Sequence, residues 1–161
     1  AQGLAYLTLQ ELATRIAHHN TGKLLTDPGG YEVMKRIAVD ENFHHSFYRD
    51  LVAAAIEIDP SAAVEAIERQ VRDFEMPGTG IIGFDEHAVA IAKAGIYDLS
   101  VHHDQILVPV VLRKWKLESL EGLTPDAEEA RRRVVTRIAR IGKAGRSMRE
   151  RWTRQDEQVP A

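Results

Sequence analysis

Residues 27–45 of this 161-residue chain read DPGGYEVMKRIAVDENFHH. Asp27 followed by Pro28 is typical of a helix start, because an Asp side chain caps free backbone N–H groups and proline fits the first turn. The apolar residues after them recur at helical spacing, and so do those of the segment before them. The sequence therefore predicts two long antiparallel helices joined by a short turn.

Further helices follow this pair, and strand signals are nearly absent. Asp59 and Pro60 predict a break, and Thr124 with Pro125 predicts the start of the last helix. Pro109 lies inside a helical segment, where it predicts a kink. The fold class is therefore all-α, a helical bundle in one domain over residues 1–161. The predicted helices cover approximately residues 4–23, 28–58, 60–74, 85–94, 100–116 and 125–151, with a loop at 76–80.

The composition excludes several classes of protein. The chain has no cysteine, which rules out a disulfide framework, a zinc ribbon, an iron–sulfur cluster and a cysteine nucleophile. The longest apolar stretch, residues 106–112, is too short to cross a bilayer. No signal-peptide pattern is recognisable at the start of the sequence. These observations predict a cytoplasmic protein without a membrane span.

The charge of the chain is unevenly distributed. Residues 131–154 carry ten basic side chains and one acidic side chain, although the formal net charge of the chain is −3. This pattern indicates an anionic partner or packing against the protein's own acidic face, and a solvated helix surface is the other interpretation. We expect no nucleic-acid partner, because Trp152 is the only aromatic residue there and no recognition motif is present. The candidates for partner binding, chosen on charge, are Arg133, Arg137, Arg140 and Lys143.

One group of residues has the pattern of a metal site. Glu41 and His44 are three residues apart, so they share a helix face. Glu-x-x-His is typical of carboxylate-bridged di-iron and di-manganese bundles, although a surface ion pair has the same spacing. Glu11 precedes Asp27 by 16 residues and Glu41 follows it by 14, so each carboxylate lies roughly 20–25 Å from the turn. The sequence therefore predicts Glu11, Glu41 and His44 as ligands of iron or manganese.

Four further side chains are candidates to support these ligands. Thr14 and His18 follow Glu11 on the same helix face, where they could hydrogen-bond to metal ligands or to bound oxygen. Asp40 and Arg15 are candidates to orient the ligands from outside the coordination sphere. Both are also ordinary exposed polar residues in the alternative interpretation.

Three other histidines are not expected to bind the metal. His45 points about 100° away from His44 around the helix, so we expect only His44 to bind the metal. His102 and His103 are expected to be ordinary polar residues near the start of a later helix.

Two ligand-bearing segments and several other landmarks agree with one known family. The segments are QELATRIAHHNTG at 10–22 and DENFH at 40–44. They resemble the third ligand helix and the second Glu-x-x-His helix of the soluble acyl-[acyl-carrier-protein] desaturases, most closely the mycobacterial type. The resemblance covers most of the chain, and its other landmarks are EIDP at 57–60, FEMP at 74–77, GIYD at 95–98, WK at 115–116 and GLT at 122–124.

The resemblance implies a fold and an activity. Members of this family, which includes the plant stearoyl-carrier desaturases, are homodimeric ferritin-like helical enzymes. They use two iron ions, O₂ and electrons from ferredoxin to insert a cis double bond into a fatty acyl chain held on acyl carrier protein. Carried onto this sequence, the resemblance implies that the iron ligands are Glu11, Glu41 and His44. It implies that Thr14 is a catalytic residue on the oxygen-binding side of the iron centre, and that His18 and Asp40 lie next to the ligands.

The sequence departs from the family in one respect. The family site needs six protein ligands, and this chain has one Glu helix and one Glu-x-x-His helix. It therefore corresponds to half of the four-helix core, the ligand hairpin at 1–58, plus C-terminal helices that end in the basic helix at 124–154. Three explanations stay open: a C-terminal part of a desaturase, a symmetric dimeric iron-binding or oxidase protein, and a metal-free helical interaction module. In the first, the basic helix is expected to meet the acidic carrier protein.

Overall fold

The computed structural model describes residues 2–76 and 78–156, which form helices and no strand. Ala1, residues 157–161 and Pro77 of the predicted loop lie outside the described residues. The prediction of an all-α bundle is confirmed. The helices are α1 (Gln2–Leu24), α2 (Pro28–Ile58), α3 (Pro60–Arg72), α4 (Phe84–Lys93), α5 (Leu99–Val101, continuing as a π-helix over His102–Lys114) and α6 (Pro125–Asp156), with a 3₁₀ turn at Leu117–Ser119.

Side-chain caps fix the starts of three helices where the sequence predicted them. The Asp27 carboxylate accepts a backbone hydrogen bond at the start of α2, and the Thr124 hydroxyl accepts one at the start of α6. Asp59 serves two helices, because its backbone N–H donates to the Ala55 carbonyl of α2 and its carboxylate accepts from Ala62 N of α3, both at 3.0 Å. The last helix continues to its end at position 156, past the predicted end near 151.

Helix α5 is wider than an α-helix along most of its length. Over His102–Lys114 it is π-helical, and at its end the Trp115 N–H donates to the Val110 carbonyl, five residues back, at 2.9 Å. The sequence predicted a kink at Pro109. In an α-helix this proline would leave one carbonyl unpaired and its ring would clash with the carbonyl four residues earlier. Pro109 instead lies within the π-helical stretch, whose hydrogen bonds run five residues back.

The hydrophobic core lies between α1, α3, α5 and α6. Apolar residues at helical spacing on one face of each helix are almost completely buried there. Helix α2 packs along α1, whereas α4 has no buried residue. The core is formed mainly by Ala5, Leu9, Leu12 and Ile16 of α1, Val64 and Ile67 of α3, Ile106, Leu107 and Val111 of α5, and Val134 and Ile138 of α6.

Helix α6 approaches the start of α5 closely at a glycine. A Cβ atom at Gly145 would lie 2.6 Å from the Ser100 nitrogen and 2.7 Å from its Oγ. One turn further on, the Arg149 guanidinium donates two hydrogen bonds, of 2.7 and 2.9 Å, to the Asp98 carboxylate. Direct backbone packing and an ion pair therefore hold this part of α6 against α5.

His102 differs from its predicted role as an ordinary polar residue. Its ring is buried and stacks on Phe74 with 4.7 Å between the ring centroids. Its Nδ1 atom accepts a 2.7 Å hydrogen bond from the Tyr97 hydroxyl. Burial, and secondly the charge of His103, lower the pKa of His102 to about 4. The residue is therefore a neutral part of the core at pH 7.

We expect the free energy of unfolding to fall between pH 7 and pH 5, and His102→Phe to remove a large part of that fall. The pKa of His102 is about 4 in the folded chain against 6.5 for the unperturbed side chain, so the unfolded chain binds more protons in this range. The free energy of unfolding at pH 5 is therefore expected to be roughly 1–2 kcal/mol lower than at pH 7. Urea unfolding at both pH values measures it. The same pH dependence in the variant and the wild type would contradict the assignment.

Candidate metal centre

Glu11, Glu41 and His44 are brought together across the α1–α2 hairpin. His44 Nδ1 lies 3.3 Å from Glu11 Oε2 and 3.6 Å from Glu41 Oε2. One ligand atom from each residue lies within 4.8 Å of the others. Helix α1 supplies one carboxylate, and two residues one turn apart on α2 supply the rest. This is the arrangement that equal distances from the turn predicted.

The three side chains differ in their exposure. The Glu11 and Glu41 side chains are 14% and 19% exposed, whereas the His44 side chain is 60% exposed. The carboxylates therefore lie inside the groove between the helices, and the imidazole lies at its open edge. A ligand bound among them would meet protein on the α1 side and open space on the His44 side.

Of the four predicted supporting residues, only His18 and Thr14 approach the ligands. His18 Nδ1 lies 3.8 Å from Glu41 Oε1, and this buried nitrogen has no hydrogen-bond partner among the described residues. The Thr14 hydroxyl donates within its own helix to the carbonyl of Glu11, at 3.0 Å, or to that of Gln10, at 3.2 Å. No hydrogen bond joins Asp40 or Arg15 to the ligands in the described part of the chain, and both are exposed.

His45 points away from this group, as its place on the helix predicted. It is buried, and its Nδ1 donates a 2.9 Å hydrogen bond to the Thr8 carbonyl of α1. Burial lowers the pKa of His45, which keeps the ring neutral. This hydrogen bond fixes the pairing of α1 with α2 one residue away from His44.

The two adjacent carboxylates of the group repel each other, and a bound cation would relieve this repulsion. Burial raises the pKa of Glu11, and the adjacent Glu41 carboxyl raises it further, while His44 acts in the opposite direction. Two carboxylates and an imidazole are a donor set that suits iron or manganese. The unpartnered His18 nitrogen beside Glu41 fits a ligand that is oriented by a neighbouring hydrogen bond. The residues therefore fit one half of a di-metal site.

In the metal-free chain we expect Glu11→Gln to raise the free energy of unfolding at pH 7. Because the pKa of Glu11 is higher in the folded chain, stability falls as pH rises through that pKa, and a neutral amide avoids this cost. Solvent screening limits the gain to less than about 1 kcal/mol. Urea unfolding at pH 7 and pH 4 measures it, and the gain should be smaller at pH 4. The control is Glu32→Gln, at an exposed ion pair with Lys35; a larger loss for Glu11→Gln than for this control would refute the expectation.

The face of α2 that carries His44 is apolar and open. Phe43 and Phe47, one turn apart beside His44, are 68% and 62% exposed, and Leu51 continues the same face. Large exposed apolar patches are typical of surfaces that another protein element covers. The incomplete metal site and the uncovered apolar surface therefore occur on the same side of the hairpin.

The basic helix α6 is partly paired within the chain. Arg133 bonds the buried Glu68 carboxylate of α3 at 3.2 Å, and Arg137 donates to the Arg72 carbonyl at 3.3 Å. Sixty-five residues separate the partners in each case, so no sequence spacing reveals these contacts. Arg140 and Lys143, the other two predicted partner-binding residues, are exposed and make no ion pair within the described ranges. Part of α6 thus packs against an acidic group of its own chain, and another part is exposed; an anionic partner stays a prediction.

Comparison with known proteins decides the family. A family model described as fatty acid desaturase matches residues 1–161. The chain belongs to the fatty acid desaturase family. This desaturase-family chain is 40% identical over 126 residues to a Mycobacterium tuberculosis protein named acyl-[acyl-carrier-protein] desaturase DesA1, an alignment that covers 78% of the chain and 37% of that protein.

Two plant relatives cover slightly more of the desaturase-family chain. The stearoyl-[acyl-carrier-protein] 9-desaturase of Simmondsia chinensis is 31% identical over 153 residues, covering 89% of the chain and 38% of the relative. The stearoyl-[acyl-carrier-protein] 9-desaturase 3 of Arabidopsis thaliana is 32% identical over 150 residues, covering 86% and 37%. The chain thus spans little more than a third of the length of these relatives. The resemblance to this family is confirmed.

None of the described helices is both long enough and apolar enough to cross a bilayer.

Proposed function

We propose that this chain is part of an acyl-[acyl-carrier-protein] desaturase, which introduces a cis double bond into a fatty acyl chain held on its carrier. The observation that supports it most directly is the convergence of Glu11, Glu41 and His44 in a chain of the desaturase family. In the overall reaction, two hydrogens leave the acyl chain and O₂ is reduced to water with two electrons from a ferredoxin-type donor. A bound pair of iron ions supplies the oxygen-activating chemistry.

The residues of this chain have separate roles in the proposal. Glu11, Glu41 and His44 would hold iron, the carboxylates in their ionised form and the imidazole in its neutral form. His18, whose Nδ1 lies 3.8 Å from Glu41 Oε1, would orient the Glu41 carboxylate by a hydrogen bond. Thr14 remains the proposed residue on the oxygen-binding side, and Asp40 and Arg15 remain proposed neighbours of the ligands.

The site needs ligands beyond those of one copy of the hairpin. A di-metal bundle site takes a Glu from each of two helices and Glu-x-x-His from each of two others. The open α2 face beside His44 is where two further helices would complete it. Homodimerisation and a cytoplasmic location stay predictions.

A second candidate function follows from the same open face. Two copies of the hairpin, paired across a two-fold axis, would supply two Glu and two Glu-x-x-His sets in a symmetric site. Such a dimer would bind or oxidise iron without acting on an acyl chain. The third explanation, a metal-free interaction module, is tested by iron retention.

The test combines iron binding with turnover. The chain, alone and combined with a separately expressed N-terminal half from a relative, is loaded with ferrous iron without oxygen and desalted. Each sample is assayed with stearoyl-carrier protein, reduced ferredoxin and O₂, with mass spectrometry of the released acyl chain. Retained iron together with loss of two hydrogens from the acyl chain supports the desaturase. About one iron per chain in a dimer that consumes O₂ without changing the acyl chain favours the symmetric iron oxidase. No retained iron, also after supply of a separately expressed N-terminal half from a relative, favours the metal-free module.

We propose that α6 contacts the acidic carrier protein. The double variant Arg140→Glu/Lys143→Glu is expected to weaken carrier binding at least about tenfold at low salt, because it reverses two exposed charges without breaking an internal ion pair. The effect should shrink as ionic strength rises. Surface plasmon resonance with immobilised carrier protein measures it. The matched control is Lys93→Glu/Arg113→Glu on α4 and α5, and equal weakening by this control would show that net charge alone matters.

A further inference from the structure

A second groove lies beside the metal-ligand hairpin, between α1, α2 and α5. It has a volume of about 540 Å³, within the range of small-molecule sites. We call it the basic groove. It is lined by Arg15, Ile16, His19, Asn20 and Lys23 of α1, Lys35, Ala38, Val39 and Asn42 of α2, and Gln105 of α5.

The lining of the basic groove is positively charged and contains no carboxylate. Arg15, His19 and Lys23 follow one another at four-residue intervals on α1, and Lys35 faces them from α2. Like charges at this spacing repel one another along a helix. Burial lowers the pKa of His19, and so do the neighbouring positive charges of Lys23 and Arg15. In a chain with 24 acidic residues, this concentration of positive charge is uncompensated by the groove's own residues.

The helix macrodipole explains only part of this arrangement. Lys23 lies in the last turn of α1, where a cation is favoured. Arg15 lies more than two turns before that end, and Lys35 belongs to the other helix and reaches only the exposed Glu32, at 3.4 Å. By contrast, the groove of about 400 Å³ between α3 and α6 contains five arginines together with Glu68 and Glu129, which pair with them.

Neutral donors complete the basic groove, and its walls are held in place. The amides of Asn42 and Gln105 lie among the basic side chains. Asn20 donates a 2.9 Å hydrogen bond to the Ile96 carbonyl, which ties the α1 wall to the segment before α5. Several converging cations with amide donors are the features that bind phosphate groups.

We propose that the basic groove binds a small phosphate-bearing anion of two or more negative charges. Such a ligand would offset the uncompensated positive charges of Arg15 and Lys23 and bridge α1 to Lys35 on α2. Glu11, Glu41 and His44 are not among the residues that line the groove, so its ligand would not need the metal centre. The proposal therefore stands apart from the proposed desaturase function.

Isothermal titration of inorganic pyrophosphate into the metal-free chain tests the proposal. The protein is stripped on a chelating resin and kept at constant ionic strength with sodium chloride. We expect a Kd below about 1 mM for the wild type and at least a tenfold increase for Arg15→Gln/Lys23→Gln. The matched control is Arg113→Gln/Lys93→Gln, which removes the same charge from exposed positions outside the groove.

Three outcomes would overturn it. These are no measurable pyrophosphate binding by the wild type, equal weakening by the two double variants, and binding that the groove variant leaves unchanged. Circular dichroism checks that each variant is folded. If the groove double variant fails to fold, Lys35→Gln is compared with Lys93→Gln under the same criteria, because Lys35 lies on the opposite wall.

Discussion

A chain with Glu41→Gln is expected to lose more than about a hundredfold in affinity for ferrous iron. Loss of a group that only supports a ligand costs roughly 10–100-fold, and Glu41 is itself the central carboxylate of the site. It lies 3.6 Å from His44 Nδ1 and 3.8 Å from His18 Nδ1. The amide keeps the shape of the side chain but removes the negative charge and half of the acceptor capacity. Anaerobic competition against a chromophoric chelator measures the affinity.

Glu57→Gln is the matched control for this prediction. Glu57 is an exposed carboxylate on the same helix, more than four turns from Glu41, so its loss changes the net charge equally without touching the site. We expect it to leave iron affinity within about twofold of the wild type. Comparable losses in the two variants would mean that iron is held by overall charge and not by this group.

Gly145→Val is expected to lower the free energy of unfolding by about 3 kcal/mol. Overpacking of this kind typically costs 1–3 kcal/mol, and more where backbone must move. The first added atom would lie 2.6 Å from the Ser100 nitrogen, and a branched side chain adds two more atoms against the same backbone. The clash would also separate Arg149 from Asp98. Urea unfolding followed by circular dichroism measures the change.

Ala144→Val on the same helix is the control for this second prediction. Ala144 is exposed, so the variant pays only the lower helix propensity of valine, about 0.5 kcal/mol. If the two variants were equally stable, the close approach of α6 to α5 could not be a feature of the folded chain.

Local signals made the hairpin and its three converging residues predictable. Asp27 caps α2 through its own side chain, and a regular helix then fixes heights along its axis by residue count alone. Glu11 and Glu41 therefore had to lie at one level once the turn was placed correctly. The choice of His44 over His45 followed from the same helical geometry.

Contacts between segments that are distant in the sequence could not be predicted from local sequence patterns. The burial of His102 depends on Phe74 and Tyr97. The sequence separation of His102 from these two residues does not identify it as a core residue. The partner of Arg133 is Glu68, on a helix that no periodicity connects to α6. The π-helical form of α5 depends on how the whole segment accommodates Pro109. Each of these features is decided by which helices pack together, and that information is not local.

The double role of Asp59 has a consequence for how the chain opens. Its backbone N–H closes the last turn of α2 and its carboxylate closes the first turn of α3. The one residue between the two helices is therefore hydrogen-bonded to both of them. Local unfolding normally spreads along contiguous hydrogen-bonded segments until it reaches a break. There is no such break at this junction. The end of α2 and the start of α3 are therefore expected to exchange their amide hydrogens as one cooperative unit.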